Sequence, residues 1–210
     1  APAQGAVHGE QRGGGGGLHP VNRSDAPGCG SLRARVGGCD HTEPVPTVDA
    51  RRSRVYAVEQ QVARMLDHAA AGTPTVDFFG STLTLPPERR FADLESVRRW
   101  VDAVLALGAV RERWPGTPPC AVRPRRGSAR AHYLPPGEIA VPVSERWALR
   151  EMVLCHEVAH HLAWHDRSVG ADVPAHGRDF VEAYVSLVEV VVGPEVALLL
   201  RAGFDAGADG

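Results

Sequence analysis

The chain contains no lysine; all 23 of its basic side chains are arginine. With abundant Ala, Gly, Val and Pro, this reads as the coding bias of a GC-rich genome, which weakens any functional reading of arginine clusters. It also lacks a run of about 18 apolar residues, so no segment is expected to span a membrane as a helix. Its four cysteines, Cys29, Cys39, Cys120 and Cys155, include no C-x-x-C pair and are too few for a disulfide framework in 210 residues. Cys29, Cys39 and His41 fit no standard zinc spacing, and Cys155 reads as a small core residue. A net charge of −2 provides no global attraction for nucleic acid or a membrane surface. The charged-then-apolar pattern of a secretory leader is missing from the first residues, so a cytoplasmic location is the expectation.

What is present divides into two parts. Residues 1–46 are rich in Gly, Ala, Pro and Ser, include the run Gly13 to Gly17, and show almost no apolar periodicity. Such a segment cannot bury enough surface to offset its ordering entropy, and it is expected to be a disordered tail. Residues 47–205 carry the patterning of one folded domain. Val55, Val58, Val62, Met65 and Leu66 predict a helix capped by Thr47 or Asp49 and stopped by Gly72 and Pro74. Val76 to Leu85 predicts two short strands around Gly80-Ser81, and Asp93 caps a second helix with Val97, Trp100, Val101 and Val104 on its buried face.

The stretch from Arg111 to Arg130 reads as a basic loop holding short strands at Cys120–Val122 and Arg130–Tyr133. Pro135-Pro136-Gly137 predicts a turn into a strand from Glu138 to Val143. Ser144 is the expected N-cap of a long helix reaching about Trp164. Phe180, Tyr184, Leu187 and Val191 mark another helix, broken at Gly193-Pro194. A final helix over Glu195–Arg201 should end before Gly203. Strands clustered between helices, without βαβ alternation, predict an α+β fold with a short, mostly antiparallel sheet.

The chemistry is concentrated in His156-Glu157-Val158-Ala159-His160, an H-E-x-x-H string inside a predicted helix. Side chains four apart share a helical face, so both imidazoles can reach one metal ion. Glu157, beside the first of them, can take a proton from water at that ion as general base. Two histidines and a glutamate in an apolar helix body would otherwise be an expensive set of buried polar groups. A third ligand is required, and the residues leave four sources open. Asp166 stands where one long form of the motif has its last histidine, but Ala163 replaces that form's glycine. His165, either Glu182 or Glu189 on the following helix, and His176 before Gly177 are the others.

His156-Glu-Val-Ala-His160 followed by His176-Gly177-Arg-Asp-Phe180 resembles the SprT-like and related small zincin families. The segment from Arg51 to Arg201 is similar to a family of small actinobacterial metallohydrolases, a likeness that leaves out the tail. The resemblance implies a zincin-like domain with zinc held by His156, His160 and His176 and with Glu157 as base. The cysteine pair that follows the domain in some SprT-like proteins is missing here.

Several weaker candidates accompany these. His132, Tyr133 and Tyr184 can each supply a hydrogen bond to a developing oxyanion, although a lone aromatic is more often core. His161 reads as structural or as a supporting donor, and Asp179 or Glu182 can orient a ligand imidazole. The expected activity is a zinc-dependent hydrolase, foremost a metallopeptidase, with a peptide or protein substrate added as a strand along Glu138–Val143. The alternatives are a DNA-associated protease using the arginines of 111–130, or a non-catalytic zinc-binding module.

Overall fold

A computed structural model describes residues 51–127, 130–166 and 175–206. The expected tail, the caps Thr47 and Asp49, and Cys29, Cys39 and His41 lie outside them. The described part is a mixed α+β structure with six helices and two small sheets. The helices are α1 (Arg52–Ala70), α2 (Leu94–Ala106), α3 (Gly108–Arg113), α4 (Glu151–His165), α5 (Arg178–Val191) and α6 (Pro194–Asp205). The strands are β1 (Thr75–Phe78), β2 (Ser81–Thr84), β3 (Ala121–Pro124), β4 (His132–Leu134) and β5 (Glu138–Val141). No described helix is long and apolar enough to cross a membrane.

Helix α4 lies at the centre, with Met152, Leu154, Cys155, Val158, Ala159 and Leu162 all buried. It packs on α5 and β4, α5 packs on α6, and α6 packs on α1. Helix α1 contributes Val55, Val58, Val62 and Leu66 to the same core. Helix α2 begins with the expected Asp93, whose carboxylate accepts from the Ser96 amide at 2.7 Å while the Ser96 hydroxyl lies 3.2 Å from the Asp93 amide.

Four expectations are corrected. Ser144 does not cap α4; a 3-10 turn over Arg146–Ala148 intervenes and the helix starts at Glu151. Its start is fixed from a distance: the Glu151 amide donates to the Arg89 carbonyl at 3.0 Å and the Met152 amide to the Glu88 carboxylate at 3.2 Å. These partners satisfy amides that a local cap ordinarily serves. Gly203 does not lie past the last helix but inside α6, where a Cβ would stand 2.6 Å from Val58 Cγ1; it is the contact point between α6 and α1. The strand expected to receive a peptide, β5, is central in the order β3-β5-β4 and has no free edge. Its pairing with β3 is parallel and that with β4 antiparallel. The segment expected to be a basic loop also opens with α3.

The β1–β2 hairpin is antiparallel as expected and turns at Phe79 (φ 50°) and Gly80 (φ 79°). Positive φ at both turn residues matches the right-handed twist of the strands, but suits Phe79 poorly.

Candidate metal centre

His156 and His160 project from one face of α4, as their spacing requires, and His176 approaches from the turn just before α5. The Nε2 atoms of His156 and His160 are 3.1 Å apart, and those of His156 and His176 are 3.3 Å apart. The three donor atoms all lie within 4.8 Å of one another. His156 and His176 are buried and His160 is half-buried.

This set fits a metal ion. A tetrahedral centre with metal–nitrogen bonds of about 2.0–2.1 Å separates its ligand nitrogens by about 3.4 Å, close to the two separations observed. Burial holds the pKa of His160 far below the ordinary range, and charge on His156 or His176 would lower it further. Three imidazoles aimed at one point cannot all be protonated; a single cation can serve all three lone pairs.

The surroundings hold the rings in place. Phe180 stacks on His160 with centroids 4.2 Å apart, and Tyr56 stacks on His156 at 5.6 Å. Glu59, from α1, meets Nδ1 of His156 at 2.5 Å. That contact places the Nδ1 proton toward the carboxylate and leaves Nε2 free to ligate. Burial alone would lower the pKa of His156, but the charge and hydrogen bond of Glu59 outweigh it and raise the pKa.

Glu157 is 5% exposed and opens with His156 onto a cavity of about 390 Å³. Burial pushes its pKa up to about 7, opposed by charge on His156 and by the backbone N–H of Tyr133. A cation at the triad would draw it down again.

The other candidate ligands are occupied elsewhere. His165 Nε2 contacts the Pro136 carbonyl at 2.5 Å. Asp166 caps the C-terminal end of α4 and lines a separate hollow with Asp179 and Glu182. Glu182 pairs with Arg113 at 3.4 Å and Glu189 with Arg201 at 3.5 Å, both on the surface. Neither Asp179 nor Glu182 supports a ligand ring; Glu59 does.

Two of the three candidate oxyanion donors are also committed. The Tyr133 hydroxyl donates to the Pro136 carbonyl at 2.7 Å, and His132 Nδ1 accepts from Arg125 at 2.6 Å. Tyr184 borders the cavity and its fully buried hydroxyl has no hydrogen-bond partner among the described residues; burial, then the Glu59 charge, raises its pKa. His161, fully buried, reaches the Pro118 carbonyl through Nε2 at 2.9 Å and the Tyr133 hydroxyl through Nδ1 at 3.2 Å, tying α4 to β4. Much of the arginine stretch is similarly engaged, Arg123 with Glu138 at 2.6 Å and Arg125 with the Arg130 carbonyl at 2.8 Å.

Sequence reasoning missed Glu59, although a signal existed. It lies four residues after Val55 and three before Val62, a carboxylate on the apolar face of α1. Arg130 and Tyr56, which border the cavity, carried no comparable signal. No protein-family model, curated protein or solved structure matches this chain.

Proposed function

We propose that the protein is a zinc-dependent hydrolase with a zincin-like site, acting on a peptide or protein bond. The observation that carries the reading is the convergence of three imidazole nitrogens within 4.8 Å of one another, two of the separations near the tetrahedral value, beside a buried carboxylate that opens onto a cavity. Imidazole donors suit zinc among the available divalent ions. When bound, zinc supplies Lewis acidity toward a carbonyl and toward water.

The chain's own groups do the rest. His156, His160 and His176 hold the ion, with Glu59 fixing the tautomer of His156. Glu157 takes the proton from the attacking water and returns it to the departing amine. Burial raises the Glu157 carboxyl and a cation at the triad lowers it, so the loaded site favours the carboxylate form that accepts the proton of the water. Of the two edge strands of the three-stranded sheet, β3 and β4, it is β4 that lies next to α4, and an extended substrate can add there instead of along β5.

Metal content and hydrolysis of a peptide library, measured for the protein and for Glu157→Gln, test the proposal. One equivalent of zinc in both, with hydrolysis lowered at least about a hundredfold in the variant, is expected. Absence of bound metal in both would refute it, and stoichiometric zinc without hydrolysis would favour a structural site.

A further inference from the structure

The cavity beside His156 and Glu157 has an uneven charge distribution. Two arginines border it. Arg150 is neutralised, with Glu88 at 2.6 Å and Asp67 at 3.0 Å. Arg130 has no carboxylate partner among the described residues; its guanidinium instead sits 3.9 Å above the ring of Tyr56. Tyr56 in turn stacks on His156, with centroids 5.6 Å apart and planes 14° from parallel. An exposed arginine is ordinarily a solvated side chain. Here stacking fixes it on the cavity wall and leaves its fork of N–H donors uncommitted to any carboxylate.

The remaining wall is largely apolar, with Ala63, Met152, Val153 and Trp147, and Trp147 is 38% exposed. The two carboxylates that border the cavity are Glu59, engaged with His156, and Glu157. The guanidinium is 3.9 Å from the Tyr56 ring and that ring 5.6 Å from the His156 ring, so at about 3.5 Å per extended residue it lies within about three residues of the triad along a bound chain.

We propose that Arg130 is an anion anchor, and that the ligand of this cavity is a peptide carrying a carboxylate within a few residues of the bond at the triad. The inference rests on the hydrolase reading for the word bond, but the binding preference it predicts does not. Tyr56 acts as the positioning residue by supporting the guanidinium. A bidentate guanidinium–carboxylate pair is the geometry that arginine offers and that lysine or glutamine cannot reproduce. The carboxylate can belong to a chain terminus or to an acidic side chain, and both present the same planar pair of oxygens.

The test is calorimetric binding, in the zinc-loaded Glu157→Gln background so that nothing is turned over. The probes are acetyl-alanyl-leucyl-alanine with a free C-terminal carboxylate, its amide, and the amide with glutamate as its last residue. At least one acid form is expected to bind about tenfold or more tightly than the neutral amide. In Arg130→Gln that ratio should fall to near one, and Arg130→Lys should restore only part of it. Preference for the free acid alone assigns a chain terminus, and preference for the glutamyl amide alone assigns an acidic side chain. Equal binding of acid and amide forms, or a preference that survives Arg130→Gln, overturns the proposal. Acid preference with no hydrolysis by the unmutated protein would fail the hydrolase reading and leave Arg130's role standing.

Discussion

At the N-terminal end of α4, Glu151 is only 2% exposed, yet its carboxylate accepts from the Trp100 indole at 3.0 Å and the Arg89 amide at 3.2 Å. Arg150 beside it is gripped by Glu88 and Asp67. Little more than a turn further along, His156 and Glu157 are almost as deeply buried, but the Nε2 atoms of His156, His160 and His176 face one another. Buried polar groups are normally partnered. Where the partners are protein atoms, the arrangement fixes where the helix begins. Where three imidazole nitrogens converge from α4 and the turn before α5, the arrangement is one that can hold a metal ion. One helix thus carries, little more than a turn apart, polar groups that fix where it begins and polar groups gathered where an ion can bind.

Breaking the first region should be the most damaging. Arg150→Ala leaves the 3%-exposed Glu88 carboxylate without its main cation and is expected to cost about 3–5 kcal/mol in urea unfolding. The second region should respond in the opposite sense. Zinc at a hundredfold excess over its Kd should raise the stability of the unmutated protein by about 2.7 kcal/mol. His160→Ala should abolish that increment while changing the metal-free protein by about 1 kcal/mol or less, read by thermal unfolding with and without zinc. If Arg150→Ala instead removed the zinc increment and left stability alone, the division would be wrong.

Smaller effects sharpen the picture away from α4. Gly203→Ala gains about 1 kcal/mol of helix propensity but drives a methyl against Val58, where both Cγ atoms are close, at 2.6 and 3.2 Å. Overpacking costs about 1–3 kcal/mol, so a net loss of about 1 kcal/mol is expected in the same unfolding assay. Phe79→Asn should stabilise by about 0.5 kcal/mol, because asparagine tolerates the positive φ that the turn imposes. Neither change should alter zinc binding.

What the sequence made legible were the features whose cause is local. The His156–His160 spacing, the Asp93 cap and the β1–β2 hairpin each follow from residues within one turn of each other. The features it hid are set by partners far along the chain. Ser144 is a good cap by composition, but Glu88 and Arg89, more than 60 residues away in contact with Met152 and Glu151, decide where α4 begins. Gly203 looks like a helix stop until Val58 is seen pressing on it. Of the four open third donors, only His176 is brought to the other two histidines, which spacing alone could not decide because the answer depends on where α5 docks.

The contact between Glu59 and His156 spans 97 residues and joins α1 to α4. Its consequence is kinetic. Helix α1 supplies no nitrogen to the centre, yet whenever it lifts from the core, His156 loses the anchor that orients its ring. Escape of a bound ion to a chelator should then follow the opening of α1 and accelerate in mild denaturant well before global unfolding. The lifetime of the loaded centre would thus be set at a helix that never touches the ion.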